Sequence, residues 1–422
     1  MAQERGLRGV LRRLRNDCKG NVLAMTAMGL PIMVGGAGLG IDTTQWYLWK
    51  REIQLAADAA ALAGAYSQQQ GRSYSTSAKS SLKSNITVAS SYTQSVTLGS
   101  WKGGTNNAII VAVSTQRALP FSRLIGIGAP VITASATAAI IDAGEHCLIS
   151  LNESDRGAVD IGGNALVRLG CGISSNSKHA DSFIVDGSAL VDASPLTSVG
   201  GISAAPKSLE DDTTIRPFSS KQADPLAGLT TPTDGASKTY DFKGKDADLS
   251  LDPGTYKGGI DVNAAGTVTM APGVYTIDGG TLKINGSTTL IGSGVVIVLK
   301  NGANIDINGN GTVDLAGPTD AQALSYGLSA DFGGVLVYED KATAGSGVTS
   351  LINGNSKLNL AGTIYTPKQE IQLKGNTEPK SKCLFMVGDT INISGSAIIP
   401  NTCPAELRPP GDFGAKVVRL VA

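Results

Sequence analysis

Two patterns of apolar and polar positions organise this sequence. The first is a run without charge from Asn21 to Ile41. A helix rises 1.5 Å per residue, so about 20 residues cover the roughly 30 Å of bilayer hydrocarbon. The run therefore predicts a transmembrane helix over 21–41, with Pro31 expected to kink it. Beyond it, Ile53, Ala56, Ala57, Ala60 and Ala63 recur near helical spacing, which extends the same helix outward over 42–66. Two other readings of the run are a buried core helix and a cleaved secretory signal. Ala61-Leu62-Ala63 has the small-x-small form of a cleavage site, but it lies well beyond the run, and the run is longer than a signal core.

The second pattern is a repeat that begins after residue 147. An aliphatic residue, one variable residue and Gly are followed by Asn or Ser and then by polar positions leading to another aliphatic. Copies start at Ile161, Val185, Ile284, Ile307, Ile352, Leu373 and Ile393, and their spacings are 24, 99, 23, 45, 21 and 20 residues. The 45 is about two periods, and the 99 holds a degenerate copy at Val262 and a Pro- and Asp-rich insert near 204–246. Short strands between Gly-Asn turns at this period predict a right-handed parallel β-helix of roughly ten coils, each coil stacked on the last, with turn asparagines bonding to their copies. A β-sandwich is the alternative that Gly-rich turns alone leave open. Between the two patterns, β-branched runs at Ile86-Thr87-Val88, 95–98, 109–113 and 131–134 predict a small sheet. Pro120-Phe121-Ser122-Arg123-Leu124-Ile125-Gly126 reads as a short helix or a loop with no assigned chemistry.

Composition sharpens this picture. The chain has 422 residues, with 53 Gly and 5% aromatics, so it is mainly β, with turns and thin packing layers. Lys plus Arg equals Asp plus Glu at 35 each, which gives no overall reason to expect nucleic acid as a partner. Local charge matters more. Arg5, Arg8, Arg12, Arg13, Arg15 and Lys19 precede the apolar run, and Trp46, Tyr47 and Trp49 follow it. That asymmetry keeps the N-terminus cytoplasmic and exports the remainder. Cys147 and Cys171 lie 24 apart and Cys383 and Cys403 lie 20 apart, each matching the local period. Stacked positions about 4.8 Å apart suit disulfides, so these two pairs are expected, each on adjacent coils, while Cys18 stays reduced.

Catalytic and metal signatures are absent from the sequence. His146 and His179 are the only histidines, no cysteine pair has zinc-site spacing, and no phosphate-binding loop, dinucleotide fingerprint or Gly-x-Ser-x-Gly elbow occurs. No cofactor or metal is expected. Some β-helices cleave acidic polysaccharides, so Asp261, Asp278, Asp306 and Asp314 with Lys283 and Lys300 are weighed as a carboxylate site, against the alternative of scattered solvated side chains.

Gly20-Asn21, Leu30-Pro31, Gly40-Ile41-Asp42, the aromatics at 46 and 47, and Gln54 through Ala65 together resemble the N-terminal module of TadE/TadG-like pilus-assembly proteins. The block from Asp58 and Ala59 to Leu62 and Ala63, after a span ending in Ile-Asp, is its most specific part. The resemblance implies an accessory protein of the tight-adherence (Flp) pilus, single-pass in the bacterial inner membrane, with its β domain periplasmic or surface-exposed. Pilins carry a glutamate five residues after their cleaved glycine, whereas Met25 holds that place here, which separates this chain from a repeating pilus subunit. Partners then expected are the inner membrane, other pilus-assembly or envelope proteins, and cell-wall glycan. The small-residue face around Ala59 and Leu62 would either receive another helix, including one from a second copy, or pack on the chain's own sheet. The expected plan is a basic cytoplasmic segment at 1–20, the helix at 21–41 with its extension at 42–66, a small α+β, pilin-like segment at 67–142, a β-helix at 143–403 and a tail at 404–422. A non-enzymatic role is expected, with a tethered glycan-binding or glycan-cleaving β-helix as the alternative.

Overall fold

The computed structural model describes residues 20–87, 90–239, 248–263, 266–285, 287–308, 311–345, 347–353, 357–374, 383–395, 397–399 and 403–421. The basic segment, Cys18 and several of the repeat's Gly-Asn turns lie outside these residues. The chain divides into two compact units, residues 1–140 with 418–422, and residues 141–417.

In the first unit, α1 (Gly20–Gln69) is one 50-residue helix with Pro31 inside it. A second helix, α2 (Tyr74–Asn85), follows; the sequence had not suggested it. Ser73 caps α2 by accepting from the Thr76 N–H, and Ala78 and Leu82, four apart, are its two buried residues. Its Ser-rich composition favours no helix, so packing of that pair in the core is what stabilises it. The strand expected at 86–88 is corrected in consequence. Ile86 instead closes α2, its N–H donating to the Leu82 carbonyl, and Val88 lies outside the described residues.

Strands β1 (Thr93–Gly99), β2 (Ala108–Gln116) and β3 (Val131–Ser150) form an antiparallel sheet in that order, with Val96 opposite Val111 and Val111 opposite Ala136. Alternate residues of a strand point to one face. Here Ile109, Val111 and Val113 of β2 and Ile132, Ala134, Ala136 and Ala138 of β3 share a buried cluster with Ile53, Ala56, Ala57, Ala60 and Ala65 of α1. Val418, from the segment expected as the C-terminal tail, is buried in the same cluster, and the Val421 N–H donates to the Thr137 carbonyl.

The second unit is a parallel β-solenoid of about ten turns, which excludes the sandwich. The leading aliphatics of the sequence repeat form one continuous column, residue over residue. It runs Val262, Ile284, Ile307, Ile352, Leu373, Ile393, Ile161, Val185, Ala204. A second column runs Gly254, Tyr275, Ile297, Val337, Ile364, Met386, Leu148, Ile173, Leu196, Ile215. At about 4.8 Å per rung, this second column is about 43 Å long. Turn asparagines also align, Asn263 with Asn285 and Asn308 with Asn353.

The columns correct the expected order of coils. The turns do not stack as the chain is written, because residues 147–216 follow residue 393 in space. Met386 pairs with Leu148 and Ile393 with Ile161, so the last coil of the sequence lies inside the stack, beneath the first. The insert explains how the chain manages this. Its first part still belongs to coils, at Ile202–Ala204 and Ile215–Arg216. The segment from Phe218 to Lys238 then runs back along the outside of the stack as a strap.

The anchors of the strap follow one another down the stack. Gln222 exchanges two hydrogen bonds with Asn176 (2.8 and 2.9 Å), Tyr365 donates to Asp224 (2.8 Å), and Tyr338 donates to the Leu229 carbonyl (3.3 Å). Thr231 donates to Asp340 (2.7 Å), Lys300 pairs with Asp234 (2.6 Å), and Ser237 joins the ladder beside Thr255. About 20 extended residues reach roughly 65 Å, more than the stack requires. Leu226 and Leu229 of the strap are buried, and the Tyr338 and Tyr365 rings stand 5.7 Å apart on the same column.

Cys147 is bonded to Cys171 on the neighbouring turn, with Cα atoms 5.7 Å apart, and Cys383 is bonded to Cys403 at 4.5 Å. The second bond departs from the expected plan of two successive coils, because the rung after Cys383 is continued by β3 and not by the residues after Cys403. It fastens the place where the chain leaves the stack. Close stacking also fixes one glycine. Gly187 has φ +66°, and a Cβ there would fall 2.6 Å from the Gly163 carbonyl oxygen of the rung below.

Met386 sits at the junction of the two sequence-distant halves and is fully buried. Met386→Ala should cost about 3 kcal/mol in denaturant titration. Hydrogen exchange should speed up in 146–175 and 361–388 together, since one rung serves both.

His146 is buried, with its Nε2 2.9 Å from the Thr197 hydroxyl. Burial pushes the imidazole down to about 4 and the Arg216 charge adds to this, while a hydrogen bond with Gln222 pulls the other way. The unfolded chain titrates near 6.5, so between these values the unfolded state holds more protons. Stability is complete above pH 6.5 and falls as the pH drops toward 4, by about 3 kcal/mol in all. Urea midpoints at pH 7 and pH 5 should differ more in the wild type than in His146→Asn.

Candidate functional site

The anchor and helix-face residues singled out in the sequence lie along α1. From Met25 onward it is the one helix among the described residues that is long and apolar enough to cross a membrane. Its side chains Met25, Met28, Ile32, Met33 and Val34 are exposed, unlike those of a core helix. Pro31 is among these exposed positions. Further along, Trp46 and Tyr47 are exposed, whereas Trp49 is buried beneath Arg117, whose guanidinium lies 4.4 Å from the ring centroid.

Asp42, one residue past the apolar run, is buried. Its carboxylate accepts from the Phe121 N–H (3.0 Å), the Ser122 N–H (2.6 Å) and the Ser122 hydroxyl (2.5 Å). These donors open α3 (Pro120–Leu124), whose own N-cap residue, Leu119, offers no side-chain acceptor. A helix start leaves its first N–H groups without intrahelical partners, and an acceptor normally comes from the cap residue. Asp42 supplies it from 79 residues away in sequence. Four residues earlier on the helix, Gly38 makes room for the Phe121 ring, since a Cβ there would meet it at 2.7 Å.

The small-residue face is occupied by the chain's own sheet. Ala56, Ala57, Ala60 and Ala61 are fully covered, and Leu62 packs against the same cluster from its edge. Asp58 and Ala59 are half-buried. Gln54 links Asp58 to the sheet, donating to its Oδ1 (2.9 Å) and to the Ser135 carbonyl (2.8 Å). Of the two fates expected for this face, packing on the protein's own β domain is the one adopted.

In the solenoid the weighed carboxylates fall on three columns, Asp261 and Asp306 sharing one while Asp278 and Asp314 lie on two others. Asp261 faces Lys283 at 4.0 Å, and Lys283 stacks on Asp306. Asp278 accepts from the Asn301 amide (2.5 Å), Asp314 from the Asn359 amide (2.9 Å), and Lys300 is held by Asp234. The structure does not bring them to one point. Among the described residues no group of three or more His, Cys, Asp or Glu side chains is placed to share a metal ion.

A family model described as putative Flp pilus-assembly TadE/G-like matches residues 20–69, which are α1 from end to end. Residues 20–69 are thus a Tad-like module. The match ends where the helix ends and leaves the sheet and the solenoid outside it. No curated protein and no solved structure matches the chain. Within the Tad module, Pro31, Trp46 and Tyr47 face outward, Asp42 holds the loop at Phe121, Leu62 packs at the edge of the sheet cluster, and Asp58 and Ala59 are half-buried.

The role of Asp42 was visible in sequence only as one letter of the Ile-Asp motif. The signal that could have revealed its partner is Pro120, an N1-type residue preceded by Leu119, a start without a capping side chain. Asp42→Ala should release α3 and expose the bond after Arg123. In detergent solution, trypsin should cut there several-fold faster than in the wild type, as mass spectrometry of the fragments will read, with Asp42→Asn intermediate.

Proposed function

We propose that this chain is a non-enzymatic accessory component of a Tad/Flp-type pilus assembly system, anchored in the bacterial inner membrane and acting through protein or cell-wall contacts of its β-solenoid. The observation that carries this reading is the coincidence of the Tad module with the one long apolar helix among the described residues. The N-terminus is cytoplasmic and the solenoid lies across the membrane in this reading, for two reasons. Six basic residues at 1–20 precede the span against Glu4 and Asp17 alone, the asymmetry that keeps a flank inside. The two disulfides of the solenoid suit an oxidising compartment. The contacts would be made by outward polar faces, such as the Asp261, Lys283 and Asp306 column.

Deletion of the protein should lower the number of surface pili and adhesion, and re-expression of the full chain should restore both. In spheroplasts, external protease should digest residues beyond 66 while the N-terminus stays protected. Unchanged piliation in the deletion strain would remove the assembly role, and an intact C-terminal part in spheroplasts would reverse the orientation.

A further inference from the structure

The loop between β2 and β3 has no part in the assembly role, yet among the described residues it carries the most exposed aliphatic cluster outside α1. Leu124 is 80% exposed, Ile125 70% and Ile127 54%, and Val131 beyond them is also open. From Pro120 to Pro130 the only charge is Arg123.

Contacts with α1 fix the height of this loop along the helix. The strand β3 climbs beside α1, its Thr133 carbonyl accepting from Lys50 and its Ser135 carbonyl from Gln54. In the other direction the chain descends. Arg117 lies over Trp49, and only four residues later the Phe121 ring meets Gly38, with Asp42 gripping Phe121 and Ser122. Eleven helical residues correspond to about 16 Å along the axis. The loop therefore hangs beyond the end of the sheet, beside the outer end of the apolar run, where Leu39 and Ile41 are themselves exposed.

Its backbone is prepared for a dry setting. The first N–H groups of α3 go to Asp42. At the other end the Ile127 N–H donates to the Ser122 carbonyl (2.9 Å) and the Gly126 N–H to the Arg123 carbonyl (3.2 Å), with Gly126 at φ +78°. That pair of bonds is a Schellman closure, which satisfies the carbonyls a helix end leaves open. Unpaired backbone groups are what bar a loop from lipid, and this one has its turn paired at both ends. Arg123 can extend its guanidinium to the headgroups.

We propose that Leu124, Ile125 and Ile127 insert into the outer-leaflet interface of the same membrane that α1 crosses, as a second contact with lipid. The inference rests on the reading of α1 as a membrane span. Its ligand is the acyl and headgroup boundary of a bilayer, and Asp42 and Gly38 act as positioning residues that set the depth of the loop.

The full chain carrying Cys18→Ser, with its disulfides intact, would be given one added cysteine at Ile125, Val34 or Thr105 and labelled with the polarity-sensitive fluorophore NBD. Each protein would be reconstituted into phosphatidylcholine and phosphatidylglycerol vesicles with or without doxyl-labelled lipid. Val34 reports the span, and Thr105, on the β1 to β2 turn at the opposite end of the sheet, reports water. The expected result is loss of most NBD emission at Ile125 and at Val34, with none at Thr105. Quenching at Val34 with Ile125 behaving like Thr105 would overturn the loop insertion and leave the anchor standing. No quenching at Val34 would overturn both.

Discussion

The open edge of a parallel coil is the constraint on which the rest of the solenoid depends. Each turn presents a row of N–H and C=O groups that only a turn of the same period can satisfy, and each inward aliphatic is dry only when another lies above and below it. In this protein the rungs come from two runs of sequence that meet at Met386 over Leu148 and at Ile393 over Ile161. Neither run covers its own edge there. Residues 147–216 need the final coils as a floor, and the final coils need residues 147–216 as a roof. Such pairings join residues more than 200 positions apart, which makes closure of the stack a late and cooperative event. The strap is the geometric consequence. A chain that ends one run at the far rung and starts the next at the near one must travel back along the outside, and Asp224, Leu229, Thr231 and Asp234 fix it rung by rung.

Periodicity made the columns legible before the structure did. The aliphatics Ile161, Val185, Ile284, Ile307, Ile352, Leu373 and Ile393 were grouped by pattern alone and prove to be one ladder, with the degenerate Val262 in its proper place. What periodicity does not encode is order. Any rung with the same inward pattern can stack on any other, so the phase of the repeat is written in the sequence while the neighbour of each rung is not. The strap was legible only as a Pro- and Asp-rich interruption, since its anchors touch outward side chains at irregular spacing. The helix α2 was illegible for a different reason. Its stability comes from Ala78 and Leu82 meeting a core built by residues far along the chain, and Ser and Thr around them carry no helical signal.

At the Tad module the sequence was readable along one dimension and silent across the others. Length and absence of charge identified the apolar stretch, and the Asp58 to Ala63 block carried the resemblance to the Tad module. Which side of the helix meets the sheet follows from Ile53, Ala56, Ala57 and Ala60 recurring at helical spacing. That Asp42 would bind the start of α3 could not follow from periodicity, because the bond joins elements 79 residues apart. A carboxylate directly after an apolar run reads as a boundary marker, and this one is also a cap.

Both uses of Asp42 arise from α1 being one uninterrupted helix. Its first half is bare apolar surface and its second half is the spine of the β1 to β3 sheet, with no linker between them. A flexible joint would let the sheet take any height above the lipid. Here the helical rise alone sets that height, and Lys50 on Thr133, Arg117 over Trp49 and Asp42 on Phe121 transmit it to the strands and the loop. Aromatic and basic side chains gather along residues 46–51 of α1, and aliphatic ones lie below them, which is the order a membrane interface imposes from water inward. Because a single helix carries both halves, a change in the depth of α1 would carry the sheet and its loop with it.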